Sequence, residues 1–265
     1  MRPIRIETNM GNFQLIRVAE LDRIAHLTLA RPPLNVLNIA MLSEINAYLE
    51  SLIGRYDLCA LLIDGEGKMF SSGVDVPEHK KDLVGTMIRT FHQTFRLMNR
   101  LPMPTICAAH GGAYGGAMEL AIFCDIVLAS DDLKIGVPEI KLGVFPPLAV
   151  AHLMQFVGAK RAAELIYTGS VLNAGEAQRI GLVNHVFPAA EFAKSVGQFV
   201  GQFKSLSAFA LRNAKRAFQL VVMKDFEHAL DEAEAIYLKD LMEGHDPNEG
   251  LAAFMEKRKP DWKDK

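Results

Sequence analysis

Apolar and polar residues change their spacing several times along this chain, and each change marks an element. Residues 13–20 and 24–30 read as two strands joined by a short polar turn at Asp22. Arg31, Pro32 and Pro33 break the chain, because proline fixes its own backbone and offers no N–H. Leu42, Ile45, Leu49, Leu52 and Ile53 recur at three- and four-residue spacing, the apolar stripe of a helix. Residues 58–63 form a short continuous apolar run, the pattern of a strand buried on both faces. A loop rich in Gly and Ser follows over 64–76. A long helix is predicted for 79–100, ended by Pro102 and Pro104.

The same alternation continues. Residues 105–109 predict a buried strand, 111–116 a glycine-rich turn, and the chain through Phe123 a helix. Short strands are expected at 126–129, 134–137 and 182–187. A helix is expected over 149–168 with a break near Gly158, and another over 174–180. From Phe192 onward the pattern is helical: 192–203, 207–222, 226–243 and a last piece through Lys257. Strand–turn–helix units with a helical tail predict an α/β fold: a layered core over 1–200 and a C-terminal helical subdomain over 201–265.

Composition narrows the class. The 265 residues are 50% hydrophobic and 23% charged, enough for one sizeable core. The net charge of −2 supplies no basic field for nucleic acid or an anionic membrane, so an anionic ligand must be held by local groups. Cys59, Cys107 and Cys124 are scattered through apolar runs and read as buried thiols in a reducing compartment. Met1 to Gly11 contains no apolar signal-peptide core. The longest apolar stretch, 105–130, is interrupted by His110, Glu119 and Asp125, which suits a buried core segment and not a membrane span. A cytoplasmic protein is expected. His79, His92, His110 and His152 have no metal-like spacing, and no metal is expected.

Three segments concentrate chemistry. FSSGVD (70–75) follows a buried strand; its small residues either let a ligand approach free backbone N–H groups or simply form a turn. HGGAYGGAME (110–119) joins a strand to a helix and places the N–H groups of Gly115 and Gly116, expected to be unpaired, at a helix N-terminus. A dinucleotide-binding turn is the competing reading, but the glycine spacing does not fit G-x-G-x-x-G. PEIKLG (138–143) carries Glu139, which either caps its own turn, pairs with Lys141, or acts in a site.

Taken together, the segments supply one set of parts. Glu119 stands in a very apolar helix, where an unpaired charge is costly. Glu139 follows 20 residues later, with a short strand between that can fold back. Two carboxyls facing one water can divide acid and base duties, since repulsion and burial separate their pKa values. Two backbone N–H donors aimed at one oxygen stabilise an enolate. These are the parts for adding water to an α,β-unsaturated thioester.

The three motifs, with Arg31, Pro32 and Asn35 before them and EGLAAFMEKR (249–258) after them, resemble the crotonase (enoyl-CoA hydratase/isomerase) family from about residue 13 to the C-terminus. The resemblance implies a spiral of ββα units with a helical C-terminal subdomain. It implies an oxyanion hole from the Val74 and Gly116 N–H groups, with Glu119 as base and Glu139 as proton donor. Coenzyme A enters as part of the substrate thioester, with no separate cofactor. Its implied contacts are backbone near Leu34, Val36 and Ser72, together with Phe254 and Lys257 from a neighbouring subunit of a trimer or a dimer of trimers. Lys257, Arg258 and Lys259 form the local positive cluster, which as residues alone also reads as a solvated helix end.

Two departures stand out. Family members commonly carry a glycine-rich turn after Gly143, where this chain has Val144, Phe145, Pro146 and Pro147, and many place a lysine where Pro77 stands. The segments around Val74–His79, Pro138–Phe145 and 241–246 are similar to cyclohexa-1,5-diene-1-carbonyl-CoA hydratases. A linear enoyl-CoA hydratase, a double-bond isomerase and a non-catalytic binding scaffold are the competing readings. Retention of both Glu119 and Glu139 favours hydration.

Overall fold

The computed structural model describes residues 13–222 and 225–261, so the segment Met1 to Gly11 lies outside the described residues. The strands are β1 (Ile16–Leu21), β2 (Ile24–Leu29), β3 (Ala60–Gly65), β4 (Thr105–Ala109), β5 (Gly112–Tyr114), β6 (Ile126–Ser130), β7 (Lys134–Gly136), β8 (Val171–Asn173) and β9 (His185–Phe187). They form two sheets: one of six strands in the order β1-β2-β3-β4-β6-β9, one of three in the order β5-β7-β8. In the larger sheet β1 and β2 are antiparallel and the remaining pairs parallel. Parallel neighbours require crossovers, and those crossovers are the predicted helices.

The helices are α1 (Ile39–Leu52), α2 (Val84–Arg100), α3 (Gly116–Phe123), α4 (Pro147–His152), α5 (Met154–Val157), α6 (Ala159–Thr168), α7 (Ala174–Arg179), α8 (Phe192–Gly201), α9 (Ala208–Val222), α10 (Phe226–Ala235) and α11 (His245–Glu256). Successive turns of the chain follow one plan. A strand enters the large sheet, the chain bends, a short second segment pairs with its counterpart in the next turn, and a helix returns. β4, β5 and α3 make one complete turn of this kind. In the two preceding turns the second segment shrinks to bridges, Leu37 with Val74 and Ser71 with Ala113, both parallel. This repetition is the ββα spiral that the resemblance implied.

Several expectations are corrected. The 111–116 stretch is not all turn, because Gly112–Tyr114 pairs in parallel with β7. The start of the predicted 79–100 helix is a 3-10 turn, Val76–His79, and the α-helix begins at Val84. The predicted 149–168 helix breaks at Leu153 as well as at Gly158. β8 went unread: three residues with exposed, buried and exposed side chains are too short to establish a period.

The apolar stripe of α1 packs into the main core with Leu61, Ile63 and Phe95. That core also takes Phe226 and Leu230 of α10, so the helical tail packs directly on the α/β part. Ile236–Leu241 continues α10 as a π-turn, and Tyr237 lies in a third apolar cluster with Met87, Ile88 and Val144. All three cysteines are buried. Among the described residues, no helix is long and apolar enough to cross a membrane.

Candidate active site

The spiral brings the second segments of successive turns side by side, and the three motifs meet there around one cavity of about 90 Å3. Ser72, Val74, Gly116, Glu119 and Glu139 all line it. Gly73 makes the first close approach possible: its φ is +95°, and a Cβ there would lie 2.4 Å from the Tyr114 carbonyl oxygen. A Cβ on Gly116 would meet Val74 Cγ2 at 2.6 Å, so the two expected donor positions are direct neighbours.

Among the described residues, neither N–H group has a hydrogen-bond partner. The backbone bonds on either side of Val74 run from Leu37 N–H to the Gly73 carbonyl (2.9 Å) and from Asp75 N–H to the Leu37 carbonyl (3.1 Å). The Val74 N–H itself has no partner among the described residues. Gly116 opens α3, where an N–H has no carbonyl one turn back to receive it. Gly115 differs from the expectation: its N–H donates to the Gly136 carbonyl at 2.8 Å. β7 takes it up as β5 pairs with β7, and one donor of the glycine pair remains for a ligand.

Glu119 lies on α3, every residue of which is buried, and is itself 2% exposed. Its Oε1 accepts from the Ala149 N–H at 2.7 Å. That donor is one of the first-turn N–H groups of α4 that no helical carbonyl can satisfy. Burial pushes the Glu119 carboxyl up to about 7, against the pull of the Ala149 and Leu148 N–H groups. Glu139 sits in the 3-10 turn Pro138–Leu142. Its carboxyl lies against the bare α-carbon of Gly115, where a Cβ would come within 2.6 Å of Oε1. Glu139 Oε2 is sealed from solvent with no hydrogen-bond partner among the described residues. Burial first, then the charge of Glu119, raise its carboxyl well above the ordinary range. Glu139 does not pair with Lys141 among the described residues.

The remaining wall is apolar: Phe91, Leu142, Val144, Phe145, Pro146 and Pro147. His79 and Tyr114 line the cavity as well, although sequence offered only their nearness to the motifs. Tyr237 was not anticipated at all; nothing in its helical surroundings distinguishes it from a core residue. Leu34 and Val36 lie outside the lining, on the neighbouring loop, where the Leu34 carbonyl accepts from Ser72 N–H at 2.9 Å. Phe254 and Lys257, at the end of α11, are exposed and also outside it. Among the described residues no group of His, Cys, Asp or Glu is placed to hold a metal ion.

Two free N–H donors, two buried carboxyls whose proton affinities are both raised, and an apolar pocket between them suit enolate chemistry on a thioester. The enoyl-CoA hydratase/isomerase model matches residues 20–265, and the chain belongs to that family of enzymes. It is 36% identical over 242 residues to the cyclohexa-1,5-dienecarbonyl-CoA hydratase of Thauera aromatica, covering 91% of this chain and 93% of that one. It is 32% identical over 249 residues to the 2,3-dehydroadipyl-CoA hydratase of Escherichia coli, covering 93% and 97%. An enoyl-CoA hydratase structure from Mycobacterium avium subsp. paratuberculosis superposes with a TM-score of 0.86 at 28% identity, over 95% of this chain and 99% of that one.

Proposed function

We propose that this enzyme hydrates a compact, conjugated acyl-CoA, with cyclohexa-1,5-diene-1-carbonyl-CoA as substrate and a 6-hydroxycyclohexenyl thioester as product. The observation that carries the reaction type is the pair Glu119 and Glu139, both facing one cavity with the free Val74 and Gly116 N–H groups. The thioester oxygen sits between those two donors. Glu119, whose ionised form the Ala149 N–H supports at 2.7 Å, removes a proton from water as the water oxygen attacks the conjugated carbon. The electron pair moves into the thioester oxygen, where each N–H stabilises the enolate by about 3 kcal/mol. Glu139 then gives its proton to carbon. The pair ends with as many protons as it began with, and water has been added.

The substrate reading rests on two supports. The Thauera aromatica relative matches over 91% of the chain. The cavity, about 90 Å3 and partly open, is small and apolar, which suits a compact acyl group. Coenzyme A travels with the substrate, so no separate cofactor enters the scheme. Its nucleotide is held by backbone near Leu34, Val36 and Ser72, and by Phe254 and Lys257 of a neighbouring copy in a trimer or a pair of trimers. The 201–265 segment mediates that assembly, and the cytoplasm is the place of action.

Product analysis on the cyclic dienoyl-CoA, crotonyl-CoA and a ten-carbon 2-enoyl-CoA tests this reading. The cyclic substrate is expected to have the highest kcat/KM and the ten-carbon chain the lowest. Preference for crotonyl-CoA overturns the substrate in favour of a linear enoyl-CoA hydratase. Double-bond migration without a hydroxyacyl product overturns the reaction type.

A further inference from the structure

The hydration scheme leaves the most deeply buried hydroxyl of the cavity wall without a task. Tyr237 is 1% exposed and lines the cavity together with Glu119 and Glu139. Its hydroxyl has no hydrogen-bond partner among the described residues, yet it is not sealed, unlike the hydroxyl of Tyr48. The Tyr237 ring is held edge-on to Phe145, with centroids 5.3 Å apart and planes at 79°. It projects from the π-turn Ile236–Leu241, a distortion often found at functional sites. Burial, then Glu139 and Glu119, raise its pKa, so the phenol keeps its proton and acts as a donor.

Apart from the Ser72 hydroxyl, which belongs to the first motif beside the oxyanion donors, and the Phe145 N–H, the other walls supply few such donors. Pro138, Pro146 and Pro147 lack an N–H. The Ala149 N–H is committed to Glu119. His79 Nδ1 lies 3.0 Å from the Asp75 carbonyl oxygen, which can only accept; the neutral ring therefore carries its proton on Nδ1 and presents Nε2 as an acceptor. The Val74 and Gly116 N–H groups are reserved for the thioester oxygen. Tyr114 turns its ring toward Gly112, where a Cβ would meet Cε2 at 2.7 Å.

A buried water makes about three hydrogen bonds. In the hydratase scheme the Glu119 carboxylate and the C=O oxygen of the protonated Glu139 side-chain carboxyl would accept its two hydrogens. One lone pair must point at carbon, and the other needs a donor. We propose that the Tyr237 hydroxyl is that donor, a third catalytic group that aims the reacting water by holding its spare lone pair. No proton leaves the phenol: the water oxygen bonds to carbon, one water proton goes to Glu119, and the Glu139 proton goes to carbon. The inference rests on the hydratase reading above.

Tyr237→Phe in the full-length protein tests it, because the ring and its contact with Phe145 survive while one oxygen is lost. Two rates are measured: hydration of the preferred unsaturated acyl-CoA, and deuterium exchange at the α-carbon of butyryl-CoA in D2O. The exchange uses the oxyanion donors and a carboxylate base but no attacking water. The expected result is a kcat for hydration about ten- to a hundredfold lower, KM within about threefold, and exchange within about twofold of the parent. A kcat within about twofold of the parent overturns the proposal. So does a parallel fall in both rates, which is the signature of a packing role. If the parent protein hydrates no member of the panel, the hydratase reading itself fails and takes this inference with it, and that failure shows in the parent and not in the variant.

Discussion

Gly115→Ala separates the placement of Glu139 from the stability of the loop that holds it. Gly115 has φ +56° and ψ −129°, a conformation that side-chain-bearing residues avoid. Forcing alanine into it costs on the order of 1–3 kcal/mol. For a chain of this size that lowers the melting temperature by about 2–12 °C. The added Cβ also meets Glu139 Oε1 at 2.6 Å, so the carboxyl must retreat by about 0.8 Å to reach the 3.4 Å of an ordinary contact. Misplacing a reacting group by ~1 Å costs on the order of a hundredfold in rate. Gly158→Ala is the control: Gly158 has φ +76°, with nothing within 4 Å of its would-be Cβ. Both variants should melt lower than the parent, and only Gly115→Ala should lose about two orders of magnitude in hydration, followed as formation of the hydroxyacyl-CoA product. A Gly115→Ala enzyme within threefold of the parent rate, or a Gly158→Ala enzyme equally impaired, refutes the reasoning.

Three further outcomes follow from the same geometry. Glu119→Gln and Glu139→Gln each keep the side-chain shape and should fold normally by thermal melt, while hydration falls by about 10²–10⁴. Full activity in Glu139→Gln removes the proton-donor role. The pH profile has a definite sign. Glu119, raised to about 7, must be ionised to act as base, so kcat/KM rises as pH increases through about 7. It falls again at higher pH where Glu139, held well above the ordinary range, loses the proton it must donate. The two apparent values belong to the pair, and a profile flat from pH 5 to about 9 rejects the shared-proton scheme. Asn35→Ala should weaken the fold near the first motif. Asn35 is fully buried, its Oδ1 accepts from Arg31 N–H at 3.0 Å, and its Nδ2 donates to the carbonyls of Glu66 (2.8 Å), Met69 (3.1 Å) and Phe70 (3.0 Å). Each group left unpaired costs about 1–3 kcal/mol, and a melting temperature lowered by more than ~5 °C is expected from calorimetry.

Much of this was legible in the amino-acid order, for local reasons. The 105–109 run was read as a strand and is β4, and the helix ending at Phe123 is α3, because apolar period and glycine position act over a few residues. Glu119 and Glu139 were singled out because a carboxyl in an apolar helix and a carboxyl in a proline-flanked turn both stand out against their surroundings. The errors fall where a distant segment decides. Whether Gly115 keeps a free N–H depends on β7 arriving beside β5, and no feature of the glycine pair foretells it. The extra break at Leu153 and the pairing of Val171–Asn173 depend likewise on what packs against them.

By itself, then, the order of residues determined which chemical groups exist, which elements carry them and in what sequence the spiral lays them down, since hydrophobic period and backbone permissiveness are properties of neighbouring residues. Only the folded chain decided that Glu119 and Glu139 are buried together with both carboxyls raised, which glycine N–H remains free, and that a residue from the C-terminal π-turn joins the cavity. Desolvation and Coulomb interaction depend on distance and burial in space, and those quantities come into being when remote segments pack.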